Sequence, residues 1–133
     1  MGRNTFKRSE KLKSSRIIGE LFKSGDIITV VPLKLFWKLD NNNQTIPTRM
    51  AVTVPAKNFK RAVDRNLIKR RIREAYRLNK YNLIDSLSDK KLSLIFVFLY
   101  LPKTICPYQQ ISEAVIKVLK IISDHLISVS SQE

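Results

Sequence analysis

The chain has 133 residues, which is close to the commonest size of one domain and too short for two ordinary ones. A hydrophobic content of 44% can fill one core, so the composition excludes a largely disordered protein despite 27% charged residues. The formal charge of +14 indicates a polyanionic partner, with nucleic acid foremost. The lone cysteine, Cys106, excludes an internal disulfide and gives no sign of an oxidising compartment.

The sequence indicates neither export nor membrane insertion. Residues 1–16 are charged throughout and lack the apolar run of a signal peptide. The most apolar stretch, Leu92 to Leu101, has about half of the ~20 residues that a membrane-spanning helix needs. A buried strand explains that stretch better, and we expect a cytoplasmic protein.

The chain begins with a basic leader, residues 1–13, that we expect to be a flexible arm. Its cations are Arg3, Lys7, Arg8, Lys11 and Lys13. The next segment, SSRIIGELFKSGD, predicts a short helix that Ser14 or Ser15 can cap and that Gly25 is placed to end. One face of this helix is apolar and holds Ile17, Ile18, Leu21 and Phe22.

Strands are predicted next. From Ile27 the residues become β-branched until Pro32 interrupts, and LKLFWKL then alternates. One side of that strand is apolar, with Leu33, Leu35, Trp37 and Leu39. The other side is basic and aromatic, with Lys34, Phe36 and Lys38. A polar loop, Asn41 to Gln44, leads to a further strand over about Arg49 to Val54.

The second half of the chain returns to helical periodicity over Phe59 to Asn79, which predicts the longest helix. A polar break over Asp85 to Lys91 precedes a strand over Leu92 to Tyr100, and a loop bracketed by prolines follows. A closing amphipathic helix is predicted from Ile111, Val115, Val118, Leu119 and Ile122. We expect a frayed tail over residues 128–133 and the order αβββαβα in a single RNA-binding domain.

The run DRNLIKRRIREAYR, Asp64 to Arg77, carries six arginines or lysines in fourteen positions. At ~100° per residue, one arc of this helix is predicted to be buried: Leu67, Ile68, Ile72, Ala75, Tyr76 and Leu78. The opposite half has Arg65 at its margin and holds Asn66, Lys69, Arg70, Arg73 and Arg77. Like charges four residues apart are each unfavourable by roughly 0.2–0.5 kcal/mol, which an anionic partner would relieve. Guanidinium groups also match phosphate oxygens bidentately.

Residue types that could form a catalytic or metal centre are sparse. His125 is the only histidine and, like Cys106, has no partner motif, so we interpret both as packing or surface residues. The eleven acidic residues are scattered, and no glycine-rich phosphate loop occurs. Asp64 and Glu74 are interpreted as helix-end and salt-bridge residues.

The run KNFKRAVDRNLIKRRIREAYR, Lys57 to Arg77, resembles the signature of the protein subunit of bacterial ribonuclease P. The matching positions are Ala62, Val63, Arg65, Asn66, Lys69, Arg70, Arg73 and Glu74. The order of elements is also similar over nearly the whole chain. Two features depart from the family pattern. Leu67 stands where the usual Arg-Asn-Arg has its third residue, with Arg71 one turn later, and Pro55-Ala56-Lys57 replaces a Ser-Lys-Lys run.

The resemblance implies an α+β fold like the second domain of ribosomal protein S5, with a four-stranded sheet and a left-handed βαβ crossover through the charged helix. It implies that the protein binds the catalytic RNA subunit and the 5′ leader of precursor tRNA, while the RNA with Mg²⁺ performs the endonucleolytic cleavage. Contacts to the RNA subunit would come from Arg65, Asn66, Lys69, Arg70, Arg71, Arg73 and Arg77. Contacts to the leader would come from Ile18, Phe22, Lys34, Phe36, Thr53 and Lys57.

Several positions keep a second interpretation. Ile18 and Phe22 have the spacing of core residues, and Phe36 could pack under the first helix instead of stacking a base. Lys34 and Lys38 could be edge-strand charges that discourage aggregation. The alternative function is a generic RNA- or ribosome-binding module of the same fold. The β-rich stretch Leu33 to Val54 disfavours a DNA-binding helix protein, and the modest apolar bulk of the basic helix disfavours a membrane-surface role.

Overall fold

The computed structural model describes residues 11–39, 48–89 and 92–131, apart from the side chains of residues 89 and 127–131. Its helices are α1 (Ser15–Ser24), α2 (Ala62–Asn79), α3 (Tyr81–Asp89) and α4 (Tyr108–Ser131). Its strands are β1 (Asp26–Val30), β2 (Leu33–Leu39), β3 (Thr48–Thr53) and β4 (Leu94–Tyr100). The predicted α+β class is confirmed, and α3 is an addition to the predicted order.

The four strands form one sheet in the order β1-β2-β4-β3. β1, β2 and β4 pair antiparallel, whereas β3 pairs parallel to β4. Parallel neighbours need a long crossover connection, and here α2 and α3 provide it between β3 and β4. The predicted crossover through the charged helix is therefore confirmed.

Each face of the sheet is covered by helices. The main core lies between one face and the helices α2, α3 and α4, with Leu35, Phe96 and Ile72 among its buried members. The small core lies under α1 on the opposite face and comprises Leu12, Leu21, Phe36, Ile95 and Val97. β4 contributes to both cores, which is why its sequence, LIFVFLY, is apolar without alternation.

The predicted ends of the first helix are confirmed. The Ser14 hydroxyl oxygen accepts a hydrogen bond from the Ile17 N–H at 3.3 Å, as a helix cap does. Gly25 follows the last turn with an ordinary φ of −70°. A Cβ at Gly25 would lie 2.7 Å from the Leu21 carbonyl oxygen and 3.2 Å from that of Trp37. Close approach to two backbone oxygens, and not a left-handed conformation, therefore requires glycine here.

Helix α3 corrects the predicted polar break, because Asp85 lies inside this helix. Leu83 and Leu87 are four residues apart and fully buried in the main core. Within the predicted break Leu87 is the only apolar residue, and one position gives no periodic signal that separates a helix from a loop. Residues 90 and 91, at the end of the predicted break, lie outside the described residues.

The charged helix differs from its prediction in length and in buried arc. It begins at Ala62, since Phe59 packs into the main core from the preceding turn. With 18 residues it is shorter than α4, which has 24. Leu67 is only half-buried and Leu78 is 45% exposed. The buried arc is narrower than predicted because α2 rests mainly on α4, and its members are Ile68, Ile72, Ala75 and Tyr76.

Lys11 and Leu12, which the prediction placed in the flexible arm, are part of the fold. Lys11 forms a bridge to Met50, and the Leu12 N–H donates to the Met50 carbonyl oxygen at 2.8 Å. The Leu12 side chain is buried in the small core, so the chain joins the edge of β3 before α1 begins. Residues 1–10, the loop Asn41 to Gln44 and residues 132–133 lie outside the described residues. The backbone of α4 is helical to Ser131, inside the predicted tail.

A buried hydrogen bond between β3 and α2 provides a test of the fold. The Thr48 and Tyr76 hydroxyl oxygens are 2.6 Å apart, and both side chains are fully buried. We expect Tyr76→Phe to lower the free energy of unfolding by about 1–3 kcal/mol, because the Thr48 hydroxyl loses this partner away from water. In urea titrations, the double variant Tyr76→Phe/Thr48→Val should lose less free energy of unfolding than the two single variants lose together. A loss equal to that sum would contradict a stabilising bond between the two hydroxyl groups.

Candidate nucleic-acid interface

The side of α2 that faces away from the main core carries a row of polar side chains, all of them cationic except Asn66. Asn66 and Arg70 are exposed, and Lys69, Arg73 and Arg77 are half-buried. The structure therefore brings together the residues predicted to point outward, over three turns of one helix. We call this set, with Arg65 at its margin, the cationic row.

Arg65 organises the start of α2. Its guanidinium donates to the carbonyl oxygens of Phe59 at 2.6 Å and Lys60 at 3.0 Å. The residue at the N-cap, Arg61, makes no side-chain capping bond. Arg65 thus fixes the turn that leads into the helix, and this contact holds the first cation of the row in a defined position.

Glu74 and Arg77 form an ion pair on the same face. The Arg77 Nη2 lies 2.5 Å from Glu74 Oε1, and its Nε lies 3.1 Å from Oε2. The hydrogen bonds from Arg77 hold the pKa of the Glu74 carboxyl below its ordinary value, and the same bonds raise the pKa of Arg77. The interpretation of Glu74 as a salt-bridge residue is confirmed. An RNA phosphate at Arg77 would have to share that guanidinium with Glu74.

Arg71 lies on the flank of α2 that faces the start of α4. Its Nη1 donates to the Cys106 carbonyl oxygen at 2.7 Å and so ties α2 to the loop between β4 and α4. The resemblance implied a contact between Arg71 and the RNA subunit, and the structure adds this intramolecular contact. The interpretation of both Cys106 and His125 as packing or surface residues agrees with the structure. Cys106 is buried, and His125 is exposed, with its ring centroid 5.2 Å from that of Trp37.

The second predicted surface lies on the α1 side of the sheet. Strand register places Lys34 and Thr53 on opposite sides of Leu99 in one row across the sheet. The next row contains Phe36, Val97 and Ala51. Lys34, Leu99 and Thr53 are half-buried, so this end of the sheet remains accessible beside α1.

Helix α1 determines which aromatic ring is accessible. Phe36 is only 6% exposed, whereas Phe22 is 37% exposed and meets the Phe36 ring edge to face, with centroids 4.8 Å apart. Phe36 therefore packs under α1, as its alternative interpretation predicts, and supports Phe22 from below. Ile18 is half-buried against the small core, and Lys57 is exposed in the turn after β3.

Arg49 is a basic residue on this face that the sequence interpretation passed over. It lies opposite Ile95, which has Lys38 on its other side, so the two cations form a third row across the sheet. The alternation of TRMAVT, with Thr48, Met50 and Val52 buried, could have indicated the position of Arg49. Basic residues therefore lie at two places on this face, around Lys34 and around Arg49.

The described residues also bear on metal binding and on membrane crossing. Over residues 11–39, 48–89 and 92–131, no three His, Cys, Asp or Glu side chains are grouped so that they could hold a metal ion. In the same part of the chain, no helix combines the length and the apolar character that crossing a membrane requires.

Comparisons with known proteins agree on one family. The family model described as Ribonuclease P matches residues 6–123. The ribonuclease P protein component of Porphyromonas gingivalis is 33% identical over 112 residues, which cover 84% of this chain and 82% of that protein. The corresponding protein of Borreliella burgdorferi is 35% identical over 96 residues, which cover 71% and 74%.

A structural neighbour has the same fold. The structure of the Staphylococcus aureus RNase P protein matches with a TM-score of 0.65 and 24% sequence identity. The match covers 85% of this chain and 94% of that one. At this identity the structural likeness concerns the fold alone.

The Glu74–Arg77 pair predicts a pH response of known sign. Because the pKa of Glu74 is lowered in the folded chain, the pair stabilises the fold above the unfolded-state pKa, and this contribution is lost as the pH falls through the folded pKa. An NMR titration of the Glu74 carboxyl carbon should give a higher midpoint in Arg77→Gln than in the unchanged protein. Lys69→Gln, which removes a cation elsewhere in the row, should leave the midpoint in place. Equal midpoints in all three proteins would exclude the pair in solution.

Proposed function

This chain belongs to the ribonuclease P protein family, and from that premise we propose that its two surfaces bind two different RNAs. The family supplies the protein component of a ribonucleoprotein endoribonuclease that processes tRNA. In our proposal the cationic row binds the catalytic RNA subunit, and the α1 side of the sheet binds the 5′ leader of precursor tRNA. The observation that carries the proposal is the gathering of the cations of α2 on the side away from the core.

The cationic row suits the backbone of a folded RNA. Neutralising phosphates releases counterions, and this supplies a large share of the affinity of nucleic-acid complexes. Arg65 is held by backbone carbonyls, so its position is fixed before RNA arrives, which lowers the entropy lost on binding. The proposed contacts are Arg65, Asn66, Lys69, Arg70, Arg71, Arg73 and Arg77.

The α1 side of the sheet suits a single strand. Phe22 is partly exposed, so its ring can stack a base, and Lys34 on the nearby strand β2 can follow the backbone. Phe36 would act from beneath Phe22, because its ring is covered by α1. The proposed leader contacts are Ile18, Phe22, Lys34, Thr53 and Lys57, and Phe36 supports Phe22 from beneath. Stacking on an aromatic ring discriminates little between bases, which suits leaders whose sequences differ from one precursor to another.

The proposed function also requires Mg²⁺ and a cellular compartment. We propose that Mg²⁺ is held by the RNA subunit and the substrate, since the described acidic residues form no group that fits an ion and Mg²⁺ is commonly held through phosphate oxygens. We also propose a cytoplasmic location, which the free, buried thiol of Cys106 supports. We further propose that residues 1–133 form a single RNA-binding domain, to which the basic leader over residues 1–13 adds cations.

The function is tested by cleavage of precursor tRNA with a bacterial ribonuclease P RNA at low, near-physiological Mg²⁺. Adding the protein should restore 5′ cleavage at the correct position that the RNA alone does not sustain. Binding to the RNA without any change in cleavage would favour the generic RNA-binding module.

Arg73→Ala should weaken binding to the catalytic RNA. The slope of log K against log salt should become shallower by roughly 0.7–0.9, the change expected for the loss of one phosphate contact. Arg73 lies within the row and belongs to neither hydrophobic core, so its truncation leaves the core side chains unchanged. Lys117→Ala is the matched control, because Lys117 is an exposed cation on α4 outside the row. The two affinities should be measured by filter binding over a salt series. Equal slopes for both variants would exclude Arg73 as a phosphate contact.

Phe22→Ala should weaken binding of precursor tRNA by about 5- to 150-fold, the range for loss of one stacked base. The affinity of the Phe22→Ala holoenzyme for mature tRNA should equal that of the unchanged holoenzyme, because mature tRNA lacks a leader. Fluorescence titration with both tRNAs measures the two affinities, and urea denaturation checks that α1 stays folded. An equal loss for both tRNAs would place the defect outside leader binding.

A further inference from the structure

A notch lies beside the cationic row, between α2 and the start of α4. It has a volume of about 340 Å³ and is lined by Arg70, Arg71, Glu74 and Tyr108. We propose that this notch binds one unpaired nucleotide of the catalytic RNA, with its base against Tyr108 and its phosphate at Arg70. The inference rests on the proposed function, since it identifies a nucleotide-sized site next to the surface proposed for that RNA.

The far wall of the notch is held rigidly by hydrogen bonds. Arg71 donates to the Cys106 carbonyl oxygen, and the Cys106 N–H donates to the Tyr100 hydroxyl oxygen at 2.8 Å. That hydroxyl in turn donates to the Thr104 carbonyl oxygen at 2.6 Å, and Tyr100 is fully buried at the end of β4. The loop that leads to Tyr108 is thus fixed from α2 and from the sheet. A preformed wall reduces the entropy lost when a ligand binds.

The Tyr100 hydroxyl is protonated at neutral pH, as an ordinary tyrosine is, and burial raises its pKa further, to about 12. A protonated hydroxyl donates one hydrogen bond and accepts another. The hydrogen bonds that hold this wall of the notch are therefore retained around neutral pH.

The charge of the notch favours an anion. Arg70, Arg71 and the adjacent Arg77 contribute three positive charges and Glu74 one negative charge, which leaves a local charge of +2 (3 − 1). Glu74 is engaged by Arg77 through both oxygens. Each carboxylate oxygen still has capacity for a further donor, such as a base amino group or a ribose 2′-hydroxyl. The notch therefore offers a cation for phosphate and an acceptor for the nucleoside.

The shape of the notch favours an unpaired nucleotide over a duplex. Tyr108 is half-buried, with part of its ring packed on the main core and part bordering the notch. A volume of about 340 Å³ is at the lower end of the range for small-ligand pockets, about 300–1,000 Å³. Bases inside an A-form helix are not accessible to such a concave site, whereas bases of loops and bulges can leave the stack and lie on aromatic rings.

Tyr108→Leu tests the stacking contact while retaining an apolar side chain against the main core. Its affinity for the catalytic RNA should fall by about 5- to 150-fold with an unchanged salt slope, because no charge is removed. Tyr108→Phe should retain the affinity of the unchanged protein, since it keeps the ring. Gln110→Leu, at an exposed position in the same turn of α4, is the matched control. Urea denaturation of each variant shows whether the fold is intact.

A second measurement does not depend on any variant. Ultraviolet irradiation of the complex between the full chain and labelled catalytic RNA, followed by nuclease digestion and peptide mass spectrometry, should find a mononucleotide adduct on Tyr108. Full affinity of Tyr108→Leu together with no adduct would overturn the inference. The irradiation is repeated with labelled precursor tRNA and with free AMP in place of the labelled catalytic RNA. An adduct that forms only with precursor tRNA, or equally well with free AMP, would overturn the assignment to the catalytic RNA.

The unchanged protein is assayed in parallel for its effect on precursor tRNA cleavage. If it supports cleavage and the Tyr108 results are negative, only the notch is excluded. If it does not support cleavage, the proposed function itself fails, whatever happens at Tyr108.

Discussion

Burial of β4 on both of its faces is the constraint on which the rest of the structure depends. β4 pairs with β2 on one side and with β3 on the other, so neither of its edges is free. Its alternate side chains enter the main core and the small core. A strand of this kind needs helices on both faces of the sheet, which requires α1 on one side and the helices after β3 on the other. The two proposed RNA surfaces are consequences of that layering, because each lies on or beside a helix that covers one face.

The layering also explains how α2 can hold so much positive charge. Like-charge pairs along one helix weaken it when it is isolated, but α2 is held by the burial of Ile68, Ile72 and Tyr76 in the main core. Core burial of one such side chain contributes about 1.5–3 kcal/mol, which exceeds the few tenths of a kcal/mol lost to each repulsive pair. The fold thus keeps the cations together without help from RNA.

Much of the fold could be predicted because its signals are local and periodic. The alternation of LKLFWKL specified both faces of β2, and the spacing of Ile111, Val115 and Ile122 specified the buried side of α4. Helix α3 could not be separated from a loop, since only Leu83 and Leu87 mark its buried side. The burial of Leu12 and the exposure of Leu78 depend on which elements meet in space, and one chain's periodicity does not contain that information.

The candidate site shows the same division between local and tertiary information. Helical periodicity placed the cationic row on one side of α2, and no partner structure was needed for that prediction. Sequence could not show that Arg71 binds a backbone carbonyl, because its acceptor at Cys106 is 35 residues away along the chain. Tyr108 escaped notice for the same reason: it lies beside Arg70 only because β4 and α4 return the chain to α2.

The two kinds of feature would contribute differently to binding. A row of exposed cations neutralises phosphates wherever they lie, so it supplies affinity that is sensitive to salt and insensitive to sequence. A concave notch with an aromatic wall accepts a nucleotide only where the RNA leaves one unpaired, so it depends on the RNA's folded shape. Arg70 belongs to both features. It is therefore the position at which general attraction to RNA would become recognition of one particular folded RNA.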